Sequence, residues 1–289
     1  MKFKNYFQFF FLFITMLIIS NSIFAQDDYK YKYLELLRAG KYDDLKTLLV
    51  KWEKAEPKNP EMFIGYFNYY ANRNKTEQAV MGQMQDGRYG MFNDIIYNSN
   101  DVKAGIGYLD KGLKYVPNRL DIHYGKIDAF FAIKDYESAG KTLYNLIAIS
   151  PKYNATWMLE DNKSVEDGQK YLLGYISQYF DKFFWVGTNV ALEQAITCSE
   201  CEIKTYPENT RGYNILATAY IEAGDPEKAI KYLLDAEKVD NTDCIILINI
   251  GIVYGKLKNI DKAKEYFNKA IKIGNDVEKN QAQYYLDSL

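Results

Sequence analysis

The chain has 289 residues, with 36 Lys and Arg against 38 Asp and Glu and a single histidine. No basic surplus exists to neutralise a phosphate backbone, so nucleic acid is not an expected partner. One histidine and three cysteines leave a conventional zinc site short of ligands.

The N-terminus reads as a leader. Lys2 and Lys4 precede an apolar run from Phe9 to Ile19, followed by Ser20, Asn21, Ser22 and Ala25. A basic stretch, an apolar core and small residues at the end form a secretory signal. Cleavage after Ala25 would leave Gln26 first, and no cysteine lies there to carry a lipid. With Lys2 and Lys4 gone, 36 basic residues become 34 against 38 acidic ones. The expected product is soluble and periplasmic or secreted. The alternative is an uncleaved anchor stretched over Tyr6 to Phe24, which alone would bring membrane contact.

From there the chain reads as helical hairpins. The first, over residues 26–59, turns at Gly40-Lys41-Tyr42-Asp43-Asp44 and carries Leu45, Leu49 and Trp52 before Pro57. The second, 60–119, holds an insertion around Asn74 to Asn100 in which Met81, Met84 and Met91 mix with Gly82, Gly87 and Gly90 without a regular period. The third, 120–153, turns at Asp135-Tyr136-Glu137 and ends at Pro151, 34 residues after Pro117. The fourth, 154–209, carries a second insertion from Tyr153 to Asp167 and an extended helix near Tyr171 to Phe184. In that insertion Ser164-Val165-Glu166-Asp167 reads as an N-cap followed by first-turn acids. Long loops inside a compact array are functional or tolerated, so each insertion is either a surface addition or a lid.

The last two hairpins, 210–243 and 244–277, are one pattern written twice. Tyr213, Leu216, Ala217, Tyr220, Ala229, Tyr232, Leu233, Ala236 and Val239 align, 34 residues on, with Leu247, Ile250, Gly251, Tyr254, Ala263, Tyr266, Phe267, Ala270 and Ile273. Small residues at Ala217, Ala229, Gly251 and Ala263 let two helices approach closely. Gly224 suits a left-handed helix end, and Asp225-Pro226-Glu227 restarts the helix with an N-cap and a first-turn proline. A capping helix over 278–289 closes the chain.

A period of 34 residues built from two amphipathic helices resembles the tetratricopeptide repeat (TPR) family. The segments Phe67-Asn68-Tyr69-Tyr70, Pro117-Asn118-Arg119-Leu120-Asp121 and Gly125-Lys126-Ile127 look like a set of exported Bacteroidota-type TPR proteins. The resemblance implies an all-α fold, a right-handed solenoid of stacked hairpins whose concave face binds a protein or peptide. Family geometry places Arg211, Asn214, Thr218 and Ile221 on that face, with Ile245, Ile248 and Ile252 beside them and Asp121, Tyr124, Asp128 and Phe131 in the third hairpin. Tyr124, Phe131, Arg211, Asn214 and Ile248 are the expected contact residues. The isoleucine row departs from the family's carboxylate-clamping pattern and suits an amphipathic helix or extended peptide. It equally suits packing against the helix from Val277 to Leu286.

The sequence shows no phosphate loop, nucleophile elbow or dinucleotide fingerprint, so no enzyme and no cofactor are expected. His123 reads as a packing residue. Cys198 and Cys201 have redox spacing but fall within a helical run from Ala191 to Lys204, without the strand-to-helix start that lowers a thiol pKa. They read as small packing residues, with a thiol-disulfide oxidoreductase as an alternative function. A structural subunit of a cell-envelope complex is the other.

Overall fold

The computed structural model describes residues 29–83 and 89–289. The leader, Met84 and Gly87 lie outside the described residues. Contacts divide the chain into two compact units, one ending at Pro117 and one spanning Asn118–Leu289.

The first unit holds α1 (Tyr29–Arg38), α2 (Tyr42–Ala55), α3 (Pro60–Arg73) and α4 (Ser99–Tyr115). Gly40 adopts φ +66° and turns α1 into α2. Asn59 caps α3 by accepting from the Glu61 N–H at 2.9 Å, with Pro60 at the first position, where a proline's missing donor costs nothing. The core gathers Tyr33, Leu45, Leu49, Trp52, Met62, Phe63, Tyr66 and Tyr69. Trp52 is buried, stacks on Tyr29 and donates its indole N–H to Glu56 at 2.8 Å.

Between α3 and α4 the aperiodic insertion forms an antiparallel hairpin of β1 (Thr76–Gln83) and β2 (Tyr89–Ile96), in register from Thr76↔Ile96 to Gln83↔Tyr89. The sequence reading assigned no strand here. Met81 and Met91 pair across the strands and are 62% and 65% exposed. With neither residue turned into a core, no alternation of apolar and polar residues marks the strands.

The second unit is built from α5 (Leu120–Ala132), α6 (Tyr136–Ile149), α7 (Gly168–Val186), α8 (Asn189–Thr205), α9 (Thr210–Glu222), α10 (Pro226–Val239), α11 (Cys244–Lys256), α12 (Ile260–Ile273) and α13 (Asp276–Asp287). Each hairpin packs on the next, α6 on α8, α8 on α9, α10 on α11 and α12 on α13. A single hairpin of two helices cannot bury its own apolar face, and stacking supplies the missing partner. The small residues sit where contact is closest: Ala217, Ala229 and Ala263 are buried, and a Cβ on Gly251 would come within 2.6 Å of the Phe267 ring. Asp225 and Asn259 cap α10 and α12, accepting from the Lys228 and Lys262 N–H groups at 3.0 and 3.2 Å.

The second insertion is held down. Met158 donates its N–H to the Asn118 carbonyl at 2.9 Å, and the Asn118 side chain donates to the Thr156 carbonyl at 2.6 Å. Trp157 is completely buried in the unit's core. Met158–Leu159 (β3) and Lys163–Ser164 (β4) make a two-residue ladder. Ser164 is therefore strand, and the cap of α7 is Asp167, which accepts from the Lys170 N–H at 3.2 Å. His123 packs edge-on against Trp157.

Candidate binding surface

The first helices of the hairpins in the second unit are α5, α7, α9 and α11. The structure does not leave all five expected residues open. Tyr124 on α5 is 4% exposed because Tyr175 of α7 stacks on its ring at 3.8 Å. Burial pushes its phenol well above the usual tyrosine range. Ile248 on α11 is 1% exposed, in a cluster that takes in Ala282 of α13 with Tyr285 and Leu286 against it. Of the two uses the sequence allowed for the isoleucine row, Ile248 takes the packing one. Both side chains are core residues of the second unit in this structure.

The other three are half-buried. Phe131 lies against Phe183 at 4.8 Å, Tyr136 at 5.9 Å and Tyr179 at 6.1 Å. Arg211 donates to Glu202 at 2.8 Å, and the Glu202 side chain is wholly buried. Desolvation pushes the Glu202 carboxyl up, and Arg211 opposes that shift. Asn214 accepts from the Asn249 amide at 2.6 Å and ties α9 to α11.

Sequence reasoning placed a helix near Tyr171 to Phe184, which is α7, but assigned none of its residues to the binding face. Gly187 ends α7 at φ +63° and Gly224 follows α9 at φ +80°. Both are left-handed turns that glycine adopts without cost. Superposing these two glycines puts Gly174, Ser177, Asp181 and Trp185 of α7 at the places of Arg211, Asn214, Thr218 and Glu222 of α9. Gly174, Asp181 and Trp185 are exposed, Trp185 to 73%. This glycine register was the available signal, and the insertion before α7 concealed it. Gly174 also lines an open depression of about 400 Å3 between α7 and the start of α9, with Gln169, Lys170, Asn209 and Arg211 among its other walls.

Beneath the surface, Lys182 is buried and bonds Asp128 of α5. Its ammonium sits 4.9 Å from the Tyr179 ring and 5.4 Å from that of Phe131. Desolvation pushes the Asp128 carboxyl up, and Lys182 opposes the shift.

The cysteines are placed for packing. Cys198 and Cys201 are free and buried in α8, their thiols donating to the carbonyls of Gly140 at 3.4 Å and Tyr144 at 3.7 Å. Burial pushes both thiols up, the opposite of what a nucleophilic thiolate requires. Among the described residues no group of His, Cys, Asp and Glu could hold a metal ion, and no helix is long and apolar enough to cross a membrane.

Tetratricopeptide repeat family models match residues 97–154, 210–243 and 245–274. No curated protein matches. Among solved structures, the chain is similar to YrrB, described as a TPR protein with an unusual peptide-binding site. The identity is 15% over 83% of this chain and 98% of that one, with a TM-score of 0.40. It is also similar to a thermophilic TPR protein of Thermus thermophilus, at 17% identity over 65% and 90% and a TM-score of 0.37. The C-terminal part of a TPR repeat-containing protein from Cytophaga hutchinsonii shares 12% identity over 85% and 79%, with a TM-score of 0.41.

Proposed function

Because the chain is a tetratricopeptide-repeat protein, we propose that it is a non-catalytic scaffold that binds a protein or peptide segment along the first helices of its second unit. The observation that carries this reading is α7, whose outward side leaves Gly174, Asp181 and Trp185 exposed, with Gly174 lining the depression at Lys170 and Arg211. Aromatic residues and arginine are the usual anchors of an interface. The thiol-disulfide alternative loses its support with two buried thiols whose pKa values are raised.

A steric block tests the surface. A Cβ on Gly174 meets nothing within 4 Å, so Gly174→Trp should leave the melting temperature unchanged while abolishing partner co-purification from the source envelope. Shortening residues 76–96 should leave co-purification intact. If the shortened chain loses the partner and Gly174→Trp keeps it, binding belongs to the β-hairpin and this surface is the wrong one.

The reading includes export, with removal of residues 1–25 and release into the periplasm or the medium, and it includes no nucleic-acid partner. Intact-mass spectrometry of the exported protein should find a chain beginning at Gln26. Met1 retained in a membrane pellet would instead establish an anchor.

A further inference from the structure

Among the described residues, none of the β1–β2 hairpin belongs to a hydrophobic core cluster. Its register sets Met81 directly opposite Met91. Residues directly opposite in an antiparallel pair leave the sheet on one face, with Cβ atoms about 5 Å apart. Both side chains are exposed. Methionine has three rotatable bonds and a polarizable thioether. Two such chains rooted so close together can bring both sulfurs onto one ion.

The chemistry open to such a pair is narrow. A thioether is a soft, neutral donor with no proton to lose. It favours Cu(I), whereas Mg, Ca and Mn take carboxylate, carbonyl and water oxygens, and Zn takes thiolate, imidazole or carboxylate. Two strand positions nearer α3, on the same face, Ala79 stands opposite Asn93. The Asn93 amide is turned toward the carboxylate of Glu77, donating to it at 3.3 Å. That bond joins diagonal positions on one face, as the register requires, and it engages the oxygen donors of those positions with each other. The thioether pair keeps its soft character.

We propose that Met81 and Met91 form a two-sulfur site for a soft monovalent cation, Cu(I) or its redox-inert analogue Ag(I). The inference is independent of the peptide-binding reading, because both residues belong to the first unit and the peptide surface to the second.

Silver(I) titration of the purified protein, isotopically labelled at its methionine methyl groups and followed by NMR, tests it. The Met81 and Met91 methyls should shift together with one midpoint, while those of buried Met62 and half-buried Met158 stay where they are. Met81→Leu keeps the volume and removes only the sulfur. In that variant the Met91 methyl should no longer move at silver concentrations that saturate the wild type, and Met91→Leu should do the same to Met81. The midpoint should hold as pH falls, whereas a site of imidazole, thiolate or carboxylate would weaken as its ligands took up protons. Zinc and calcium should move neither methyl, and copper(I) kept reduced by ascorbate should reproduce the silver result. Cys198, Cys201 and Cys244 are buried, and metal held there would leave both methyls in place. Methyls that stay unmoved to the end of the titration would overturn the site. So would separate midpoints, or a Met91 methyl that still shifts in Met81→Leu, either of which means adventitious binding at single exposed sulfurs.

Discussion

Trp157→Ala is expected to destabilise the second unit by about 3–5 kcal/mol, the range for removing a large aromatic from a packed core. The residue is completely buried and packs with Tyr153 at 5.2 Å and His123 at 5.9 Å. It is also the anchor of the second insertion, since Val165 donates its N–H to the Trp157 carbonyl at 2.9 Å and Met158, the next residue, bonds back to Asn118. The indole N–H has no acceptor among the described residues. Trp157→Phe removes that donor and leaves a smaller void, so it should cost much less than the alanine change. Urea unfolding gives the energies, and hydrogen exchange over residues 153–167 reports the detachment. A cost below about 1 kcal/mol, with unchanged exchange in the insertion, would mean that this tryptophan does not hold the segment.

What the sequence made legible follows from range. The hairpins of the second unit were readable because their signals are local and repeated. Ala217, Ala229, Gly251 and Ala263 recur at fixed spacing, and the Asp225 and Asn259 caps act within three residues. The β1–β2 hairpin was not readable, because strand alternation arises when one face is buried and here Met81 and Met91 both remain in solvent. The second insertion was open to two readings because its fixing bonds join Asn118 to Thr156 and Met158, pairs that no local pattern announces.

The burial of two of the expected surface residues has the same origin. Positions on a repeat helix say which way a side chain leaves its own helix, but not what the next helix lays over it. Tyr124 stood at a binding position until Tyr175 covered it. Ile248 is likewise buried, in a core cluster that includes Ala282 of α13. Trp185 and Asp181 are exposed, and they were overlooked because the insertion ahead of α7 hid its register.

Arg119→Met is expected to cost the same unit about 3–5 kcal/mol, the penalty for leaving one member of a buried ion pair alone. Arg119 precedes α5 and is fully buried; Asp121, in the first turn, is 8% exposed. The guanidinium forks onto the carboxylate, Nε to Oδ1 at 2.8 Å and Nη2 to Oδ2 at 2.7 Å. A fork of this kind fixes geometry as well as charge, and here it shapes the start of α5 where Met158 pairs with Arg119. Methionine keeps much of the volume, so the loss measured is chiefly that of the charge left behind on Asp121. Removing both charges in Arg119→Met with Asp121→Leu should recover most of the stability, since a buried pair replaced by apolar residues is often neutral. A double-mutant cycle read by urea unfolding separates this from simple packing, with a coupling of several kcal/mol expected. Added salt should change that coupling little, because buried pairs are poorly screened. If the single change cost under about 1 kcal/mol and the cycle showed no coupling, the pair would be behaving as a solvated surface bridge, and α5 would owe its start to the insertion alone.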